Sequence, residues 1–201
     1  MSTVQLKLGP RDHGRELSLE EYESADYELG SKYEIIDGAL YVSPEPNFAE
    51  SFLEVWLSQK LHLYRFAHPE IINYITVKSR VFVPDRAYAT VPEPDIAAFR
   101  GIPLDADLRD IHWQDLSPIL VAEVLVDADP AKDLRRNPVL FLAVPTIAEY
   151  WVLDGRDNAN EPALIQHRRD GDRWVIHNYP YGTMFTTNLL PDFQLVIDPR
   201  K

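Results

Sequence analysis

Apolar and polar residues follow a helical period in one long stretch of the chain, residues 48–66. Polar side chains separate the apolar positions there, which is the pattern of a helix that covers a sheet. Its apolar members are Phe52, Val55, Trp56, Leu57, Leu61, Leu63 and Tyr64. A shorter helix is predicted after Ser18, because Ser18 and Glu21 have the spacing of a capping box. A third helix is predicted at residues 133–144, with Pro138 in its first turn or at a kink.

The strand-like segments predict a sheet with hairpins near both ends of the chain. In residues 33–42, two β-rich runs flank Asp37 and Gly38, a dipeptide typical of hairpin turns. The other predicted strands are residues 71–77, 80–83, 95–99, 119–126, 149–154, 163–168, 173–179 and 195–197. Residues 101–117 are polar, acidic and rich in turn residues, and they predict a long loop. The fold class is therefore α/β or α+β around one mixed β-sheet.

Length and composition indicate a single domain. With 201 residues, of which 45% are hydrophobic, the chain can bury a sizeable core. We expect one domain over residues 1–201, with residues 1–16 as a loosely ordered amino-terminal arm. The sequence has no run of about 18 apolar residues, which argues against a membrane span. It has no cysteine, which excludes disulfides and thiolate chemistry and predicts a cytoplasmic location.

The charge balance limits the partners that the protein can bind. The chain carries 32 acidic and 20 basic residues, for a formal net charge of -12. Binding to nucleic acid depends largely on Lys and Arg at phosphates, so this is not a general polyanion binder. It could still bind nucleic acid through a local basic patch or a divalent cation held by clustered carboxylates.

Glu123 is the most informative residue of the sequence. It interrupts the nearly continuous apolar run of residues 119–126, and such runs are typical of strands buried on both faces. A carboxylate in that position is costly unless it is paired, protonated or bound to a metal. The alternative is that Glu123 points out of the sheet and forms a salt bridge with a helix residue.

Asp95 is the second candidate for the same site. It follows Pro94 directly and enters the predicted strand 95–99. A carboxylate at the start of one strand can share a cation with a carboxylate on its neighbour. With Glu123 it predicts a Mg²⁺ (or Mn²⁺) site, with the two carboxyl groups within about 5 Å. Such a cation would polarise a phosphodiester and help to generate a hydroxide nucleophile.

The ordered set of motifs resembles a known family. Pro94-Asp95, Glu123 in an apolar strand, Asp133 at a helix start and the strand 149–154 occur in that order. Together with the hairpin of residues 33–40, they resemble the Uma family of putative restriction endonucleases over residues 17–198. The resemblance implies the PD-(D/E)xK nuclease-like fold, a restriction-endonuclease-like mixed sheet flanked by helices, with an N-terminal hairpin and C-terminal antiparallel strands. It further implies a homodimer and metal binding by Asp95 and Glu123.

The resemblance also implies a lysine that orients or deprotonates the attacking water, and neither usual position has one. Leu125 lies two residues after Glu123, and Asn137 lies four residues after Asp133. Lys132 is therefore the candidate catalytic lysine.

Three other residues complete the predicted site. Arg135 and Arg136 are candidates for binding substrate phosphate. Glu34 is open to two interpretations: an exposed polar position on a hairpin strand, or a third carboxylate near the metal, as the resemblance implies. Arg168, Arg169 and Arg173 are further basic residues, on a predicted hairpin where charges are usually solvated.

Two functions follow from this sequence. The first is a metal-dependent endonuclease that hydrolyses phosphodiester bonds of DNA. The alternative is a catalytically weakened or inactive nuclease-fold homodimer that acts as a binding or structural protein, favoured by Leu125, Asn137 and the acidic composition. No HExxH, GxSxG or glycine-rich phosphate loop is present, so zinc proteases, serine hydrolases and P-loop enzymes are not indicated.

Overall fold

The computed structural model describes residues 6–77, 79–126 and 130–201, and its amino-terminal part is built on a hairpin. The elements of this part are β1 (Lys7–Leu8), α1 (Leu19–Ser24), β2 (Asp26–Tyr27), β3 (Ser31–Ile36) and β4 (Ala39–Pro44). Strands β3 and β4 pair antiparallel around Asp37 and Gly38, whose φ angles are 50° and 79°. Two positive φ angles are what a type I′ turn requires. The predicted hairpin is confirmed, and Ser18 caps α1 as expected.

The residues before α1 are part of the fold. Strand β1 pairs in parallel with β2, and Leu8 is fully buried. The amide of Leu40 donates to the carbonyl of Arg15 at 2.8 Å. The loosely ordered arm predicted for residues 1–16 is therefore wrong for residues 7–16, while residues 1–5 lie outside the described residues. The extent of the single domain stays a prediction.

A six-stranded mixed sheet follows the long helix α2 (Phe48–Ala67). Its strands are β5 (Tyr74–Thr76), β6 (Ile96–Phe99), β7 (Leu120–Leu125), β8 (Glu149–Asp154), β9 (Ala163–Asp170) and β10 (Arg173–Tyr179), in spatial order β10-β9-β8-β7-β6-β5. Strands β7 and β8 are parallel, and the other neighbouring pairs in this sheet are antiparallel. The predicted mixed sheet is confirmed. None of the helices in the described parts of the chain is long and apolar enough to cross a membrane.

Two differences from the predicted strands have local causes. Residues 80–83 are not a strand; the amides of Val81 and Val83 donate to loop carbonyls of Pro92 and Thr90 instead. The last predicted strand pairs outside the main sheet, because β11 (Met184–Thr186) and β12 (Gln194–Val196) form a separate two-stranded sheet.

Each face of the main sheet is covered by a different helix. On one face, α2 buries Leu53, Leu57 and Leu61 against even-numbered residues of β7 such as Ala122. On the other face lies α3 (Asn137–Leu142), whose Phe141 packs against odd-numbered residues of the same strand. Because side chains alternate along a strand, Glu123 points to the α3 face.

Helix α3 is preceded by a π-helical turn, Lys132–Arg136. The amide of Asn137 donates to the carbonyl of Lys132, five residues earlier. Pro138 has no amide hydrogen, so it cannot make the helical bond to Leu134. The sequence predicted a helix here, with Pro138 in its first turn or at a kink. The structure has a π-helical turn directly before Pro138.

Arg169 ties the carboxyl end of α3 to the sheet. Its guanidinium donates to four backbone carbonyls, those of Ile147 at 2.6 Å, Val144 at 2.8 Å, Leu142 at 3.0 Å and Phe141 at 3.2 Å. Carbonyls at the end of a helix have no partner within the helix itself. Arg169, a basic residue of the predicted hairpin, is therefore used inside the protein.

We expect Arg169→Met to lower the free energy of unfolding by about 2–4 kcal/mol, because several half-buried carbonyls lose a charged donor. Arg173→Met is the matched control, since Arg173 is exposed and pairs with Asp170 on the surface. Its effect should stay within about 0.5 kcal/mol. Denaturant unfolding followed by circular dichroism measures both, and equal effects of the two substitutions would contradict this account.

Candidate active site

Asp95 and Glu123 meet at the junction of β6 and β7. The antiparallel register pairs Ile96 with Ala122, and its continuation sets Asp95 opposite Glu123. Residues opposite each other in an antiparallel pair point to the same face of the sheet. The amide of Asp95 lies 3.4 Å from Glu123 Oε2, and the amide of Val124 donates to Asp95 Oδ2 at 2.9 Å. Asp95 and Glu123 therefore lie side by side on one face of the sheet, while the separation of about 5 Å between their carboxyl groups and their role as metal ligands stay predictions.

Lys32 is the cation that contacts Asp95. Its Nζ lies 2.5 Å from Asp95 Oδ1. Burial alone would lower the pKa of Lys32, but the charge of Asp95 outweighs it and the pKa is raised. Sequence reasoning missed this residue. The signal was the two-residue period of β3, which places Lys32, Glu34 and Ile36 on one face.

The Asp95 carboxylate remains ionised although it is buried. Burial raises the pKa of a carboxyl group, but the charges of Lys32 and Lys132 and the hydrogen bonds from Lys32 and Val124 more than offset it. The pKa of Asp95 is therefore lowered.

Glu123 lies deeper than Asp95, with 1% of its surface exposed. Asn137 Nδ2 donates to its Oε1 at 2.7 Å, and Lys132 Nζ lies 3.8 Å from its Oε2. Burial raises the pKa of Glu123 well above its usual value, and nearby Asp133 and Asp95 add to this against the charge of Lys132. The alternative expected Glu123 to point out of the sheet and to pair with a helix residue. Glu123 does lie beside Lys132 of the helical segment, but both groups are inside the protein.

Lys132, the first residue of the π-helical turn, lies between two carboxylates. Its Nζ is 3.8 Å from Glu123 and 3.7 Å from Asp133. Burial would lower the pKa of Lys132, but the charges of Glu123 and Glu34 outweigh it and raise that pKa. The structure thus places the predicted candidate lysine beside the predicted carboxylates.

Asn137, at a position where the resemblance implies a lysine, forms hydrogen bonds with the carboxylates of Glu123 and Asp133. It is fully buried, and its Nδ2 lies 2.7 Å from Glu123 Oε1 and 3.1 Å from Asp133 Oδ1. Its Oδ1 accepts from Arg136 Nε at 3.0 Å. An amide both donates and accepts, which an ammonium cannot do. Burial raises the pKa of Asp133 to about 6, against the opposing charge of Lys132.

Glu34 holds Arg136 at the edge of this cluster. Its Oε2 accepts from the Arg136 guanidinium at 2.8 Å, and its Oε1 accepts from the amide of Glu93 at 3.0 Å. Burial raises the pKa of Glu34, but Lys132 and Arg136 reverse the shift and the net pKa is lowered. The exposed position that one interpretation assigned to Glu34 is wrong, since only 5% of it is exposed. Its role as a third carboxylate at a metal stays a prediction.

The two arginines proposed for phosphate binding differ in position. The Arg136 guanidinium lies 5.3 Å over the ring of Tyr41 and pairs with Glu34, so it belongs to the cluster. Arg135 is exposed and is not among the residues that line the cavity beside the cluster.

A cavity of about 450 Å³ opens onto the cluster between β4, the start of α2 and the π-helical turn. Its charged lining residues are Lys32, Glu45, Glu50, Glu54, Asp95, Lys132 and Asp133. Carboxylates therefore outnumber ammonium groups on its walls. A cavity of this kind attracts cations and repels phosphate unless a cation is present.

The chain matches a known family over nearly its whole length. The model of the Uma2 family, described as "Putative restriction endonuclease", matches residues 19–198. The chain belongs to this family. The resemblance seen in the sequence motifs is confirmed.

A solved structure has the same fold. It is described as a putative nuclease belonging to DUF820 from Anabaena variabilis, and it superposes with a TM-score of 0.67. The match covers 90% of this chain and 95% of that chain at 15% sequence identity, so the likeness is one of fold alone. No curated protein matches the chain.

Neither position at which the sequence resemblance implies a lysine carries a cation in this chain. Leu125 is fully buried in the apolar core on the α3 face, and Asn137 is an amide. Lys132 and Lys32 instead bring ammonium groups to Glu123 and Asp95, from the π-helical turn and from the hairpin.

The donor set fits a magnesium or manganese ion that keeps water ligands. Within the described ranges, no group of three or more His, Cys, Asp or Glu side chains is placed so that it could hold a metal ion. Asp95 and Glu123 offer two adjacent carboxylates, and Mg²⁺ typically uses one or two carboxylates together with waters and substrate phosphate. Protein side chains need not complete the coordination shell.

We expect Lys132→Met to lower the free energy of unfolding in EDTA by about 3–5 kcal/mol, because it leaves a buried carboxylate without its cation. Lys7→Met, which removes a pair exposed on both sides, should change it by at most about 1 kcal/mol. Denaturant titration measures both variants. The double variant Lys132→Met/Glu123→Gln should recover much of the loss. If the double variant recovers none of the lost stability, Lys132 does not stabilise the fold by neutralising Glu123.

Proposed function

We propose that this Uma2 family protein is a metal-dependent endonuclease that hydrolyses phosphodiester bonds of DNA. The observation that carries the proposal is the convergence of Asp95 and Glu123 with two lysines beside one cavity. Family membership supports a nuclease, and the cavity supplies access for an extended substrate.

Asp95 and Glu123 would hold Mg²⁺ (or Mn²⁺). The ion, when bound, supplies Lewis acidity that polarises the phosphate and lowers the pKa of a water ligand. Asp95 faces the cavity, while Glu123 lies behind it and is covered by Lys132. The excess of carboxylates on the cavity walls supports a cation requirement, because a phosphate cannot approach them unneutralised.

Lys132 is the residue that we assign to the role of the missing family lysine. Its ammonium borders both the cavity and Glu123. An ammonium has three donors and no acceptor. From this position it would orient the attacking water and neutralise charge that develops on the phosphate.

Lys32 is the second cation of the proposed site. It lines the main cavity and a neighbouring groove of about 270 Å³, so it lies where the two meet. We assign it to the substrate phosphate, which its ammonium would contact once Asp95 binds the metal. Glu34 would act as a positioning residue, because it fixes the guanidinium of Arg136, a further candidate for phosphate contact.

The cellular context of the proposed nuclease follows from the same chemistry. The absence of cysteine suits a reducing compartment, so we propose a cytoplasmic location. We also propose that the protein acts as a homodimer, since duplex cleavage requires a cut in each strand.

A second function has an observation of its own. All four carboxylate oxygens of Asp95 and Glu123 have partners within the protein, namely Lys32, the amides of Val124 and Asp95, Asn137 and Lys132. The pair is thus compensated without a metal. This favours a protein that keeps the nuclease fold with weak or no cleavage and acts by binding or as a structural homodimer.

Cleavage of supercoiled plasmid DNA in Mg²⁺, Mn²⁺ or EDTA tests the nuclease. The wild-type protein should cut with either metal and not in EDTA. We expect Asp95→Asn and Glu123→Gln each to lower the rate at least about 100-fold, since even residues behind the metal ligands cost 10–100-fold. Asp107→Asn, which alters an exposed pair with Arg109, should leave it unchanged.

The outcomes of this assay separate the two functions. Cleavage that survives both Asp95→Asn and Glu123→Gln would refute the site. If the folded wild-type protein cuts DNA with neither metal, the non-catalytic function is correct. Circular dichroism of each variant confirms that the fold is intact.

A further inference from the structure

The outer face of α2 carries a stripe of exposed apolar side chains. Its members, here called the α2 stripe, are Phe48, Phe52, Val55, Leu63 and Phe66, which are between 46% and 86% exposed. Their spacing follows the helical repeat, so they lie on one side of the helix. The side chains on the opposite side of α2 are buried in the hydrophobic core. The fold of one chain therefore leaves the apolar stripe exposed.

The charged residues of α2 lie outside this stripe. Helical spacing places Ser51, Gln59 and His62 with the stripe on the outer face. The charged residues of the helix are Glu50, Glu54, Lys60 and Arg65. The Arg65 guanidinium lies 4.8 Å over the ring of Phe66 at the carboxyl end of the stripe, and the rest of the face is uncharged. A largely apolar face is unexpected on a chain with a net charge of -12, and faces of this kind mark interaction sites.

We propose that the α2 stripe is the surface on which a second copy of this chain packs, with the two α2 helices antiparallel. This names the interface of the proposed homodimer and does not depend on nuclease activity. The stripe is nearly symmetric about its own midpoint. Phe48 and Phe66 lie at its two ends, and Val55 and Gln59 lie on either side of its middle. A two-fold axis needs such a self-complementary surface.

The helix dipoles fix the direction of the pairing. An antiparallel pair sets the amino-terminal end of each α2 beside the carboxyl-terminal end of the other, which is the arrangement that helix dipoles favour. The charged side chains of α2 do not decide it, because they have partners within the chain: Glu50 accepts from the amide of Asn47, and Lys60 donates to the carbonyl of Lys201.

The exposed area is sufficient for a stable dimer. Aromatic side chains bury about 150–250 Å² each when covered, so the five members of the stripe expose roughly 600 Å². Two copies would bury roughly 1,200 Å² from these side chains alone, the lower end of stable protein interfaces. Neighbouring residues of the outer face would add to this area.

The pairing also relates the two proposed active sites. The cavity is lined by residues at the start of α2, among them Asn47, Glu50 and Glu54. An antiparallel pair puts the two cavities at opposite ends of the joined helices. Glu50 lies seven residues from the midpoint of the stripe, so the two copies of Glu50 are about 21 Å apart along the helix axis.

Light scattering coupled to size exclusion tests the interface. The wild-type protein should have twice the chain mass of 23.1 kDa. Leu63→Glu, in the stripe, should raise the dissociation constant of the dimer at least about 30-fold, because it places a carboxylate in each half of an apolar interface. Leu108→Glu is the matched control, because Leu108 and Leu63 are both 67% exposed. It should remain a dimer.

Three results would overturn the interface. One is a wild-type monomer at all concentrations, including a monomer that instead floats with phosphatidylcholine–phosphatidylglycerol vesicles. Another is a Leu63→Glu protein as dimeric as the wild type. The third is equal loss of the dimer in Leu108→Glu. Phe66→Ser is a second, milder variant in case Leu63→Glu does not fold. The measured mass reports the dimer whether or not the protein cuts plasmid DNA. A failure of the dimer proposal can therefore be told apart from a failure of the nuclease proposal.

Discussion

The contact between Lys132 and Glu123 offsets part of the cost of a carboxyl group in a strand that is buried on both faces. Burial, Asp133 and Asp95 raise the pKa of Glu123 well above its usual value, and the charge of Lys132 opposes that rise. Lys132 is the first residue of the π-helical turn that precedes α3, and Pro138 leaves one helical hydrogen bond of this segment unmade. The segment that follows the buried strand thus supplies the cation nearest to Glu123.

The second cation enters from a different part of the chain. Lys32 lies on the amino-terminal hairpin and pairs with Asp95, which precedes a strand of the main sheet. Through Glu34 and Arg136 the same hairpin is joined to the π-helical turn. Charged contacts therefore join the hairpin to the residue before β6 and to the π-helical turn, in addition to its contact through Ile35 and Val91. Lys32, Glu34 and Asp95 thus belong both to the proposed site and to the attachment of the hairpin.

This arrangement explains how a member of the Uma2 family can lack a lysine at both usual positions. The amide of Asn137 bridges Glu123 and Asp133, while the ammonium groups come from positions 32 and 132. Positive charge therefore lies near the carboxylates in this chain although neither expected position supplies it. Whether these ammonium groups serve cleavage or only neutralise the pair is the difference between the two proposed functions.

The sequence by itself determined most secondary structure and the carboxylate pair. Ser18 with Glu21, Asp37 with Gly38 and the apolar run around Glu123 are local patterns, and local hydrogen bonding and side-chain periodicity encode such elements. A charged residue within an apolar run, such as Glu123, can be recognised from the sequence alone. Only the tertiary structure decided which groups surround that charge. Lys32 lies 63 residues from Asp95, and Glu34 lies 102 residues from Arg136, and such contacts depend on sheet register and on the packing of the hairpin rather than on neighbouring residues.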